Sequence, residues 1–395
     1  MSDSTEGLNP SSIGRENLEM IFHLIQQEGE VSRTDIAESS GLSKTAVSSS
    51  VDQLLQEGLI REDKHKKYSK VGRKPRLLSV NSKGRHFISM DIGGTSVKYG
   101  LGNLGGELEK TGKIRTPDHW KELYQDVLEV VRDSKSWSGV SFERVKGLAI
   151  AVPGVVNKDG TVNYAPNIDG LDQVRLGCEL EEELGIPIFL ENDVNASALG
   201  EYRKRKSSYS SLVFIAIGTG VGAGIILNGE LFKGSTNHAG EVGWFVSELA
   251  HMGEKGNGKK GWLESRISGP DIVRRAREKL QKVSDDPLRD PGVNLNPKKI
   301  LETRTENTVA GELTEDWINV VSTLVSNITA IIDPELVVLG GGVSKTGSRY
   351  IEEIKTRVAK NTQHTPEIAG STLGDEAPLY GGIAVCRQNI SQFIR

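Results

Sequence analysis

Asp91-Ile92-Gly93-Gly94-Thr95 stands between an apolar run, His86-Phe87-Ile88-Ser89-Met90, and an alternating one, Ser96-Val97-Lys98-Tyr99-Gly100-Leu101. The pattern predicts a strand, a tight Gly-Gly turn and a second strand of period two. Paired glycines let backbone N–H groups approach a phosphate closely, because no Cβ intervenes. An aspartate at the strand end can hold Mg²⁺ through hard oxygen ligands, and the Thr95 hydroxyl adds a donor. A plain glycine-rich hairpin is the alternative reading of this stretch.

Two further glycine turns also leave strand ends. Ile217-Gly218-Thr219-Gly220-Val221-Gly222-Ala223-Gly224 follows the apolar stretch 212–216, and Leu339-Gly340-Gly341-Gly342-Val343-Ser344 follows Leu336-Val337-Val338. Together the three resemble the two phosphate turns and the adenosine turn of the actin/hexokinase/Hsp70 ATPase fold. Leu190-Glu191-Asn192-Asp193-Val194-Asn195-Ala196 and His238-Ala239-Gly240-Glu241-Val242-Gly243 extend the likeness. With them, residues 86–395 resemble the ROK family of sugar kinases and sugar-responsive repressors. The resemblance implies an α/β, two-lobed actin/hexokinase-like ATPase fold, with a first lobe at 86–200 completed by 380–395 and a second at 201–379.

At 395 residues the chain exceeds a single domain of roughly 150. A net charge of −4 excludes a polyelectrolyte, so any nucleic-acid binding must rest on a local patch. The 2 cysteines, Cys178 and Cys386, lie far apart without CxxC spacing. That argues for a reducing cytoplasm and against a disulfide framework or thiolate metal site. No basic-then-apolar leader opens the sequence and no apolar run reaches about 18 residues, so the expectation is a cytoplasmic chain without a membrane segment.

Residues 1–14, rich in Ser, Gly, Asn and Pro, read as a disordered tail. From Arg15 the period turns helical, with Leu18, Ile21, Phe22 and Ile25 on one face and Gly29 as the stop. Ser32 with Asp35 forms a capping-box pattern for a second helix ending before Gly41, and Ser43 caps a third running to about Glu57. On that third helix Val47, Val51, Leu54 and Leu55 point inward. Lys44, Thr45, Ser48, Ser49 and Gln53 point outward, small or hydrogen-bonding as a helix in the major groove requires. A three-helix bundle with a solvated face is the alternative. The stretches 59–62 and 76–80 then read as a hairpin whose tip, 64–76, is basic, with Arg73 and Lys74 placed for phosphates or a minor groove. Residues 15–80 therefore read as a winged helix-turn-helix, with Ser43, Lys44, Thr45, Ser48, Ser49, Arg73 and Lys74 on double-stranded DNA. Gly72-Arg73-Lys74-Pro75 also resembles the wing of ROK repressors.

The strand 147–152 ends at Pro153-Gly154, and 186–191 delivers Asn192 and Asp193. Asp193 is the candidate general base toward a sugar hydroxyl, or else the N-cap of the helix that follows. The resemblance assigns Gly154, Asn167, Asn192, Asp193, Glu241 and Glu264 to a sugar, the glutamates as bidentate acceptors. It assigns Asp91, Gly93, Gly94, Thr95, Gly218, Thr219, Gly220, Gly222, Gly340, Gly341 and Gly342 to ATP and Mg²⁺. The chain departs from the family twice. Trp244 stands where a histidine usually binds sugar and zinc, so it either stacks on a sugar face or fills the vacated space. The stretch 252–261 lacks cysteine, and His238 and His251 alone make no site, so no zinc is expected.

The combined expectation is a sugar-responsive DNA-binding repressor, a homodimer on its operator, in which sugar binding favours one lobe arrangement. An ATP-dependent sugar kinase carrying a DNA-binding domain is the alternative, kept open by the intact Asp91, Gly93, Gly94, Thr95 and Asp193.

Overall fold

The amino-terminal periodicity builds helix α1 (Pro10–Glu28), which starts inside the stretch expected to be a tail. Proline is tolerated in a first helical turn, whose N–H groups lack intrahelical partners in any case. Strand β1 (Val31–Ser32) leads into α2 (Arg33–Ser40), whose capping box is complete. The Ser32 hydroxyl accepts from Asp35 N at 3.2 Å, and the Asp35 carboxylate accepts from Ser32 N at 3.1 Å. Gly41 ends α2 at φ 70°, left-handed backbone that glycine adopts without Cβ strain, and this makes the turn into α3 (Lys44–Gln56). Strands β2 (Ile60–Asp63) and β3 (Leu77–Val80) pair antiparallel, and β1 adds to β3 to give the order β1-β3-β2. The β1 strand was not legible in the sequence. The structure is a computed structural model describing residues 10–63, 76–157, 159–163, 168–205, 208–246, 260–290, 292–305 and 308–393. The basic wing tip with Arg73 and Lys74 lies outside them.

The chain divides into Met1–Glu191 with Gly382–Arg395, and Asn192–Gly381. The first unit continues with β4 (His86–Ile92), β5 (Ser96–Asn103) and β6 (Leu108–Arg115), then α4 (Trp120–Arg132), α5 (Ser134–Ser138) and β7 (Val145–Val152). The small hairpin β8 (Val155–Val156) and β9 (Val162–Asn163), helix α6 (Leu176–Leu184) and β10 (Ile188–Asn192) complete it. Its sheet runs β10-β7-β4-β5-β6, with β4 parallel to β7 and antiparallel to β5.

The second unit opens with α7 (Asp193–Lys204), β11 (Ser211–Ile217), β12 (Val221–Leu227) and β13 (Glu230–Leu231). After α8 (Glu264–Ile267), α9 (Gly269–Leu280) and α10 (Pro297–Glu302) comes the long α11 (Val309–Ile332). Then follow β14 (Leu336–Gly340), α12 (Gly341–Gly347), α13 (Ile351–Asn361), β15 (Glu367–Gly370) and α14 (Ala377–Gln388). Its sheet order, β13-β12-β11-β14-β15, repeats that of the first unit strand for strand. The division at Asn192 falls earlier than the expected 201, because α7 packs on β11 and β12. Period two explains how. Val213, Ile215, Ile217, Val221, Ala223 and Ile225 share a core with α11, whereas Gly222 and Gly224 face α7. A Cβ on Gly224 would stand 2.5 Å from Ala198 Cβ.

Helix α14 begins in the second unit and ends in the first, where its last residues enter the core of the winged helix. Ile383, Cys386 and Ile390 are buried together with Leu18, Ile21, Phe22 and Ile25 of α1. Ser391 donates to Glu19, and the Gln26 amide, turned with its oxygen toward the guanidinium, accepts from Arg387. Burial pushes the Cys386 thiol far up, so it is an inert filler of this core. Truncating Ile390→Ala leaves a cavity against α1 and should cost about 2–5 kcal/mol. Hydrogen exchange should then quicken in the α1 amides, while those of β11 and β14 stay protected.

Candidate ligand site and nucleic-acid interface

Most of the residues expected to hold a small molecule lie in the second unit, around one end of its sheet. The turn between β11 and β12 is closed by Gly218 N donating to Gly220 O at 2.9 Å, leaving Thr219 and Gly220 exposed. Beside it lies the turn out of β14. Gly341 has φ 85°, and a Cβ there would stand 2.5 Å from Ile217 O, so only glycine fits. A Cβ on Gly218 would be 3.9 Å from Gly342 N, so the two turns adjoin with open backbone. The other glycines have packing reasons. Gly340 makes room for the Phe214 ring, and a Cβ on Gly222 would come within 3.3 Å of Val194.

The start of α7 adjoins the same strands. Asn192, not Asp193, is its N-cap, accepting from Val194 N and Asn195 N at 3.0 Å each. Asp193 is the first helical residue, half-buried, with Oδ1 accepting from Asn192 Nδ2 at 3.1 Å. The helix N-terminus favours a negative charge there. The cap alternative for Asp193 is thereby corrected: the adjacent asparagine takes that role.

Glu241 and Glu264 lie near enough to act on each other electrostatically. Glu264 Oε2 accepts from Val221 N at 3.1 Å and lies 3.2 Å from where a Gly220 Cβ would be, so the carboxylate rests on the glycine turn. Desolvation pushes both carboxyls above the usual range. For Glu264 the Val221 N–H opposes that rise; for Glu241 His238 opposes it and Glu264 adds to it. Glu241 is nonetheless exposed by surface area, a crowded rather than sealed carboxylate. Trp244, on the short turn Val242–Trp244, is 53% exposed, so it does not fill a vacated space.

Asp91, Gly93, Gly94, Thr95 and Gly154 belong to the first unit. Asp91 is buried opposite Lys98, whose Nζ stands 3.7 Å from its carboxylate. Gly93 N donates to Ser96 O at 3.1 Å, Gly94 and Thr95 are exposed, and Gly154 has φ 99°. Asn167 lies outside the described residues. Among the described residues no His, Cys, Asp and Glu cluster of three or more is arranged for a metal. In the second unit Trp262 is buried with Arg266 over its ring, and no thiol stands between 240 and 264, a donor set unsuited to zinc.

On the recognition helix Lys44, Thr45 and Ser49 are exposed. The Ser43 hydroxyl is committed to capping, accepting from Ala46 N at 3.2 Å. Ser48 accepts from Arg33 Nη1 at 2.9 Å, and Asp52 from Arg33 Nη2 at 2.7 Å. Arg33 and Asp52 went unnoticed in the sequence; the signal was a basic residue just inside an N-cap, ahead of the recognition helix.

A winged helix-turn-helix joined to a duplicated α/β unit with glycine turns and paired glutamates defines a regulator built on a sugar-kinase fold. The chain belongs to the ROK family, whose family model matches residues 87–389, and a winged helix-turn-helix DNA-binding model matches residues 15–61. It is 27% identical over 389 residues to the xylose repressor of Caldicellulosiruptor bescii, covering 95% of this chain and 96% of that one. A ROK family transcriptional regulator, a homologue of the E. coli Mlc protein, shares the fold with a TM-score of 0.82 at 23% identity, over 97% of this chain and 98% of its own. A ROK family glucokinase from Streptomyces griseus, solved with glucose and AMPPNP, gives a TM-score of 0.65 at 26% identity, covering 77% of this chain and 100% of that one.

The raised carboxyls fix a pH sign. A carboxyl raised on folding binds protons more readily in the folded state, so stability falls as pH climbs through the window above the ordinary glutamate range. Glu241→Gln should therefore melt higher than wild type at neutral pH, with the gap closing on acidification in calorimetric scans.

Proposed function

We propose that the chain is a sugar-responsive DNA-binding repressor whose ROK unit binds the effector in the second unit, through Asn192, Asp193, Glu241 and Glu264. The observation that carries this reading is the joining, in one chain, of a winged helix-turn-helix to a ROK unit whose Glu264 carboxylate rests on a glycine turn, over the 95% of the chain shared with a xylose repressor. Carboxylates accept paired sugar hydroxyls, and the exposed Trp244 offers an aromatic face beside them. Effector binding would alter operator affinity by linkage; couplings of about 1–3 kcal/mol change affinity about 5–150-fold. A homodimer would present two recognition helices to a symmetric operator.

A second reading, ATP-dependent sugar phosphorylation, is supported by the adjoining glycine turns and by the open space beside the Gly218 and Gly342 backbone. In the second unit those turns would hold the phosphates of ATP, which would supply the phosphoryl group, and Asp193 would take the sugar proton; in the first unit Asp91 would be the carboxylate for a Mg²⁺ ion. Lys98 beside Asp91 partly supplies the positive charge a metal would bring.

Asp193→Asn separates the two. As a sensor, wild type should bind a sugar without ATP and turn over slowly at most, and the variant should keep its fold and its DNA binding. As a kinase, the variant should lose about 10²–10⁴-fold in phosphoryl transfer. Wild-type turnover of order 10 s⁻¹, typical of enzymes, that collapses in the variant would make the chain an enzyme first.

A further inference from the structure

Arg33 is the first residue of α2, yet its guanidinium is spent on α3. Nη1 donates to the Ser48 hydroxyl at 2.9 Å and more weakly to the Ser48 carbonyl at 3.4 Å, while Nη2 donates to Asp52 Oδ1 at 2.7 Å. Ser48 and Asp52 stand four residues apart on α3, one turn after the exposed Lys44 and Thr45, so they continue the stripe that faces outward. Asp52 is 64% exposed. An exposed ion pair of this kind contributes little to stability, about 0–1 kcal/mol. A carboxylate on a DNA-reading stripe nevertheless faces a line of phosphates, and a hydroxyl that accepts from Arg33 keeps its own proton free to donate.

We propose that Arg33 is a positioning residue for DNA recognition: its fork fixes α3 on α2 through Ser48 and cancels the Asp52 charge that α3 would otherwise turn toward the phosphates. The planar fork matters, because an ammonium group cannot hold a hydroxyl and a carboxylate at fixed angles at the same time. This rests on the winged helix-turn-helix alone and is independent of the sugar reading.

The test uses the full chain, a mixed-sequence 30-base-pair duplex, and a duplex that wild type selects from a random pool, with anisotropy titrations at several salt concentrations. Arg33→Ala should melt with wild type, yet bind the mixed duplex about 10-fold more weakly through the uncovered charge. Adding Asp52→Asn should restore that affinity but not the preference for the selected duplex. Arg33→Lys, which keeps the charge and loses the fork, should hold mixed-duplex affinity and lose about 10-fold in preference. If Asp52→Asn fails to rescue and the salt slope drops by about 0.9, Arg33 itself grips a phosphate and the proposal falls. It falls equally if Arg33→Ala and Arg33→Lys leave affinity and preference unchanged.

Discussion

Glu201 has no exposed surface, and a carboxylate buried without partners would cost several kcal/mol. It is surrounded by donors instead. Its oxygens accept from the Ser371 hydroxyl at 2.6 Å, from Thr372 N at 2.8 Å and the Thr372 hydroxyl at 2.9 Å, from Leu373 N at 2.9 Å, and from Arg205 Nε at 3.3 Å. All of them but Arg205, which caps α7 itself, sit on the loop that leaves β15 and leads to α14, so one side chain fastens the end of α7 to the origin of the last helix. Glycines allow the approach that this requires. A Cβ on Gly200 would stand 2.2 Å from Ala377 O, and one on Gly381 1.8 Å from Ala196 O, so the two helices meet backbone to backbone. With its far end anchored, α7 presents Asn192 and Asp193 in a fixed direction.

How much of this was readable beforehand depends on whether the cause was local. The capping box of Ser32 and Asp35, the turn at Gly41, the Ser43 cap and the strand–turn–strand at Asp91 are settled by neighbours in sequence, and each stands where the residues indicated. Partners distant in sequence were invisible. That a Cβ on Gly222 would crowd Val194 is such a contact; Glu201 carried no signal, since all its donors but Arg205 lie some 170 residues away. The strand β1 is only Val31–Ser32 and exists because β3 is there to pair with it. Helix α11 begins at Val309 because Thr308 caps it by accepting from Gly311 N at 3.1 Å.

The candidate ligand site ties two kinds of recognition to one piece of backbone. Val221 N, which follows the exposed glycine turn, is already donated to Glu264. If the proposed roles hold, the Glu264 carboxylate that takes hydroxyls leans on the turn that takes phosphate, and occupancy at either place alters the field at the other. The duplicated sheet order gives each unit one such turn after its first strand, at Gly93 and at Gly218. Glu241 and Glu264 belong to the second alone, and this asymmetry is the ground on which the effector is proposed to bind there.

The burial of Ile383, Cys386 and Ile390 among the side chains of α1 sets an order on events in the cell. The reading head is made before the residues that finish its interior, which lie roughly 300 positions further along the chain (Leu78 to Ile383). At about 5–20 residues per second, the nascent head waits roughly 20–70 s for its final apolar partners. Until residues 383–390 leave the ribosome, Ile21, Phe22 and Ile25 stay partly uncovered, and a chain stalled before them stays so for good. A repressor made this way packs its head fully only after the whole span of its ROK domain has been translated.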